Sequence, residues 1–119
     1  MMDDYYYGTM MTFSIEGMFD DMTQETIQNL INTNGEYCDN SNNYCSVMVT
    51  KVNVKPDEFG DYEIKVEAAV SAPEMPIGAI EHDAQEQIWY WFEDKTQQRA
   101  INIRIIDEKE VFNYRRKYK

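Results

Sequence analysis

Apolar and polar positions alternate from Met10 to Glu16, with Met11, Phe13 and Ile15 on one side and Thr12, Ser14 and Glu16 on the other. Period two with a single apolar side predicts a half-buried strand. The period changes after Asp20. Thr23 or a preceding acid offers a helix N-cap, and Gln24 or Glu25 sits near the reciprocal position. Ile27, Leu30 and Ile31 then supply one helical face, and Asn34-Gly35 is the expected stop, because glycine accepts the left-handed conformation that closes a helix. Residues 36–46, rich in Asn, Asp and Ser, read as a loop. Val47 to Val54 is β-branched, Pro56 to Asp61 is dense in turn residues, and Tyr62, Ile64, Val66, Ala68 and Val70 alternate with Glu63, Lys65, Glu67, Ala69 and Ser71. Two strands around a short turn predict a hairpin.

Pro73 and Pro76 break the chain. Ile77, Ile80, Ala84, Ile88 and Trp91 then recur at helical spacing, the apolar stripe of a helix running to about Asp94. Ile101, Ile103 and Ile105 form a last strand, which Val111 and Phe112 extend or follow with a short fifth. The order is strand, helix, strand, strand, helix, strand. It predicts an α+β fold, a two-layer ferredoxin-like βαββαβ sandwich with an antiparallel sheet and both helices on one face. The other sheet face would carry Thr12, Ser14, Glu16, Glu63, Lys65, Glu67, Asn102 and Arg104. Residues 1–113 form a single domain in this reading, and residues 114–119 a basic C-terminal tail that buries little.

Charge changes the picture more than composition does. The first base is Lys51, and residues 1–94 hold 19 acids against Lys51, Lys55 and Lys65. Residues 95–119 hold 3 acids against 8 bases, so a body of charge −16 carries a segment of +5, which gives the net −11. An apolar share of 43% with 13% aromatics separates the chain from disordered acidic sequences, which lack aromatics. No apolar run reaches the ~18 residues of a membrane span. The acidic start lacks the basic residues and apolar stretch of a secretion signal, so the expected location is the cytoplasm. In that compartment Cys38 and Cys45 are expected to be free thiols, although a disulfide closing their loop is geometrically open.

Catalytic and cofactor motifs are weak. His82 is the sole histidine, flanked by Glu81 and Asp83, and no Ser or Cys stands in a readable triad with it. Asp39 to Asn43 has alternate oxygen ligands like a calcium loop, but Tyr44 stands where such a loop needs glycine. The cysteines lack the four-ligand spacing of zinc. The five glycines are too scattered to cradle phosphates. An RNA-binding sheet would need stacking aromatics on its central strands, where this chain has Glu63 and Glu67, which repel phosphates. The expectation is therefore no enzyme, no cofactor, no metal and no direct nucleic acid.

Two features point to macromolecular partners. In the run Ile88-Trp89-Tyr90-Trp91-Phe92, a two-layer fold can bury only part of a helix's circumference. Trp89 lies about 200° round the helix from Trp91, so one is core and the other exposed or at an interface. Tyr5-Tyr6-Tyr7 poses the same question in a strand. The stretch from Asp57 to Asp94 holds 11 acids and one base. Such a surface suits a basic groove built for nucleic-acid phosphates. In charge and size the chain resembles the small acidic inhibitors of restriction and CRISPR enzymes that phages carry. The expected function is a small acidic, non-enzymatic binding protein that docks on a basic protein, such as a nucleic-acid-handling one, as a nucleic-acid mimic and inhibitor. The partner-binding residues are Asp57, Glu58, Asp61, Glu63, Glu67, Trp89 and Tyr90. The alternative is a structural or oligomeric subunit, a phage-particle component or a homodimeric accessory protein, with the +5 segment meeting a neighbour's acids.

Overall fold

The computed structural model describes residues 4–38, 45–73 and 76–116, with side chains from 8–38, 45–72 and 76–109. The chain runs β1 (Asp4–Gly17), α1 (Gln24–Ile31), β2 (Glu36–Tyr37), β3 (Ser46–Pro56), β4 (Tyr62–Pro73), α2 (Ile77–Thr96) and β5 (Ala100–Arg116). It is an α+β protein: five strands form one antiparallel sheet in the order β2-β3-β4-β1-β5, with two helices.

The alternation written in the sequence sets the two faces of the sheet. Met11, Phe13 and Ile15 of β1, Val47, Val49 and Val52 of β3, and Ile64, Val66, Ala68 and Val70 of β4 are buried. They share one core with Leu30 of α1 and Ile80, Ile88 and Phe92 of α2. The Phe19 and Phe92 rings meet edge to face with centroids 5.3 Å apart, a favoured aromatic geometry. Gly17 stands beside that pair, where a Cβ would collide with the Phe19 ring. Cross-strand register puts Thr12 opposite Glu67 and Asp107, and Ser14 opposite Lys65 and Arg104, so the polar set faces away from the core.

Several expected boundaries move. Helix α1 is capped by Thr23, whose hydroxyl accepts the Thr26 N–H at 3.1 Å. It ends at Ile31 with Asn32 as C-cap, not at Asn34-Gly35. Ile31 is 42% exposed and so lies off the core face. Gly35 uses its positive φ of 77° to turn the chain into β2, and its N–H bonds Val49 O at 2.7 Å. That short edge strand falls where a loop was expected. Strand β5 is one continuous 17-residue element, although Asp107 to Glu110 breaks the apolar alternation. It continues to Arg116, opposite Asp4, inside the segment expected as a tail. The reason is pairing: β1 and β5 run side by side along their whole length, and ladder hydrogen bonds do not require apolar side chains.

Candidate functional site

Charge is sorted by face. The open sheet face carries Glu16, Glu63, Glu67 and Asp107 together with Lys51, Lys55, Lys65, Arg104 and Lys109. Lys51 faces Glu67, Lys55 faces Glu63, Lys65 Nζ lies 3.1 Å from Glu63 Oε1, and Arg104 pairs with Glu16. Every base of the −16 body is therefore spent on this face. The acid excess is left to the helices and loops, where Lys95 and Arg99 are the bases among the described residues.

The expected partner-binding residues divide into three places. Glu63 and Glu67 lie on the balanced sheet face. Asp57, Glu58 and Asp61 form the β3–β4 turn. Trp89 and Tyr90 lie on α2. In the turn, Asp57 Oδ1 accepts the N–H groups of Phe59 and Asp61 at 2.8 and 2.9 Å. Asp61 Oδ1 accepts the N–H of Tyr62 at 2.7 Å and that of Phe19, in the β1–α1 loop, at 2.8 Å. These two carboxylates thus build the turn and fasten the neighbouring loop to it. The fastened pair of loops carries two protruding apolar side chains, Phe59 at 90% and Met18 at 73% exposure. Asp20, Asp21, Asp57 and Glu58 belong to the same two loops. Exposed apolar side chains among exposed acids have the make-up of a docking surface, in which apolar anchors sit with a charged rim. Sequence reasoning picked two of these four acids, Asp57 and Glu58, and missed Phe59 and Met18, because an apolar residue in a turn carries no pattern.

Helix α2 and β5 enclose a second feature, an open groove of about 380 Å³ lined by His82, Gln85, Glu86, Trp89, Tyr90, Asn102 and Ile103. Trp89 is half-buried, and its Nε1–H donates to Glu93 Oε2 at 3.0 Å. Tyr90 is 57% exposed. Trp91 points into the core, as the helical angle between the two tryptophans requires. The His82 ring is exposed and its Nε2 lies 3.8 Å from Glu86 Oε2. Further along, Glu108 stands on the helix side of β5, opposite Met11. A hydrogen bond with Glu81, partial burial and the nearby Glu81 and Asp107 charges push its carboxyl from 4.5 up to about 7. The folded state therefore keeps a proton that the unfolded chain releases above its ordinary value, so stability declines as pH rises from about 4.5 to about 7. Urea midpoints at pH 5 and pH 8 should differ in that direction, and Glu108→Gln should shrink the difference by raising the midpoint at pH 8.

Cys38 and Cys45 are free thiols, and both are buried. Burial pushes Cys38 up to about 12, with the Glu36 charge adding to it. Burial and then the hydrogen bond to Asp83 raise Cys45 still further. Thiols held protonated in this way are poor nucleophiles. The loop considered for calcium, residues 39–44, lies outside the described residues, as do the side chains of Tyr5, Tyr6 and Tyr7. Among the described residues no group of three or more metal-ligating side chains comes together, and no helix is long and apolar enough to cross a membrane. No family model, curated protein or solved structure matches the chain.

Proposed function

We propose that this chain is a small, non-enzymatic binding protein whose acid-ringed loop end docks on a basic protein surface of the kind that holds nucleic-acid phosphates, and that it inhibits by occupying that surface. The observation that carries the reading is the sorting of charge. A balanced, cross-paired sheet face leaves the acid excess on the loops and helices, with Phe59 and Met18 protruding at one end. Opposite fields steer the encounter, and buried apolar anchors slow dissociation. The long strands alone run β3-β4-β1-β5 with every neighbour antiparallel, which supports a ferredoxin-like βαββαβ frame with β2 added at one edge. Free, buried thiols support work in a reducing compartment, the cytoplasm.

The test uses an immobilised Lys/Arg-rich DNA-packaging protein as probe, at ionic strengths from about 50 to about 500 mM, where screening grows severalfold. Binding should weaken steeply with salt. Asp20→Lys, Asp21→Lys and Glu58→Lys should each weaken it and flatten the salt dependence, whereas Glu63→Lys should not. Phe59→Ala should weaken binding with the salt dependence unchanged. Equal losses from both faces would mean that only net charge matters, and the directional docking surface would be wrong.

A further inference from the structure

The two edges of the sheet are finished differently. At one side β3 is covered by β2, two residues long. At the other side β5 runs for 17 residues, and among the described residues no strand pairs with it on the side away from β1. Long open edges recruit further strands unless something covers them. Here the cover is partial. Gln85 Nε2 donates to Ile103 O at 3.0 Å, which satisfies one carbonyl. Helix α2 has 20 residues and reaches about 30 Å, whereas β5 reaches roughly 55 Å, the longest dimension of the molecule at 55 Å. Along this edge Ile101 is 67% exposed and Ile106 44%.

Charge runs along the same strand. Its N-terminal part, Asn102 and Ile103, borders the groove that holds Glu86, Trp89 and Tyr90. Its C-terminal end is basic, with Arg115 and Arg116. When two copies of such a strand pair antiparallel about a two-fold axis, the C-terminal end of each lies beside the N-terminal part of the other. We infer that a second copy of this chain docks along the free edge of β5, so that the basic end of each β5 lies at the α2–β5 groove of its partner. Carboxylate and aromatic faces are both favourable neighbours for an arginine guanidinium. The pairing continues the sheet across both copies and covers Ile101 and Ile106. The contact is built from β5 and α2, whereas the docking reading rests on Met18, Phe59 and the loop acids, so the two use different residues and either can fail alone.

Sedimentation equilibrium of the full chain decides it. Between about 1 and about 100 μM the protein should approach twice 14.1 kDa, and high salt should lower the dimer fraction. Glu86→Arg, and separately the double change Arg115→Glu with Arg116→Glu, should each weaken dimerisation by roughly tenfold or more. Near-UV circular dichroism checks that each variant is folded. Mixing the two should restore dimers, because one groove of the mixed pair is wild type against wild type and the other reverses both signs. Ile101→Glu should break dimerisation in either background. A single 14.1 kDa species at every concentration, or a mixture of the charge-swapped variants that stays monomeric, overturns the inference.

Discussion

Trp91→Ala should lower the free energy of unfolding by about 3–5 kcal/mol, whereas Trp89→Ala in monomeric protein should cost no more than about 1–2 kcal/mol. Both tryptophans belong to one turn of α2, but Trp91 lies in the core at 7% exposure, whereas Trp89 is half-buried against its margin. It is also tied into a polar contact at the core's margin. Its Nε1–H donates to Glu36 Oε1 at 2.9 Å, and Lys95 Nζ donates to the other oxygen of that carboxylate at 2.8 Å. The Lys95 ammonium lies 6.0 Å from the Trp91 ring centroid. The lysine hydrogen bond, and after it that of the indole, hold the Glu36 carboxyl below its ordinary value despite partial burial. Trp91→Ala therefore opens a cavity and also removes one of the partners that hold β2 against α2. Trp91→Phe separates the two effects: most of the ring volume remains, and only the hydrogen bond, worth about 1 kcal/mol, is lost. Urea denaturation of the three variants gives the ranking. Equal large losses at Trp89 and Trp91 would mean that α2 is buried on both sides.

How far such outcomes could be anticipated from sequence depends on the range of the interaction. Phe13, Ile15, Ile64 and Val66 announce their face because a strand's period is written in adjacent residues. The stripe of Ile80, Ala84, Ile88 and Trp91 does the same for α2. The Thr23 cap was readable for the same reason. Strand β2 was not: Glu36 and Tyr37 are both exposed, and what makes them a strand is pairing with Val49 and Met48. The polar run Asp107 to Glu110 is strand because β1 lies beside it. The candidate site follows the same division. The acids of the β3–β4 turn were visible as a local cluster, but their attachment to the Phe19 loop spans 42 residues. The pairing of charge on the sheet face depends on a register that brings Lys51 to Glu67 and Lys55 to Glu63. Local patterns therefore gave the elements and the sign of the surface, while the sorting of charge between faces needed the fold.

The buried network at Asp83 illustrates the long-range part most clearly, and it leads to the second large effect. Asp83→Ala should destabilise the protein by about 2–4 kcal/mol. In sequence Asp83 reads as one more helix-surface acid beside His82. In the fold it is 9% exposed, on the core side of α2. Its Oδ2 accepts the Cys45 N–H at 3.0 Å, the Cys45 thiol at 2.9 Å and the Gln87 amide at 3.2 Å. Gln87, only 2% exposed, also donates to Cys45 O at 2.7 Å. Cys45 lies immediately before β3, so these bonds fasten the start of that strand to the helix above it. Alanine at position 83 strands buried donors that water cannot reach, and that desolvation, rather than the strength of any one bond, sets the cost. Asp83→Asn retains an acceptor of nearly the same shape and should lose less, about 1–2 kcal/mol. A double-mutant cycle between Asp83→Ala and Cys45→Ala isolates the thiol's share. The residues touch, so the two costs should fall short of additivity by about 0.5 kcal/mol or more. Additive losses would show that Asp83 acts on stability through something other than the Cys45 thiol, and a loss below about 0.5 kcal/mol for Asp83→Ala would rule out a structural role for the network.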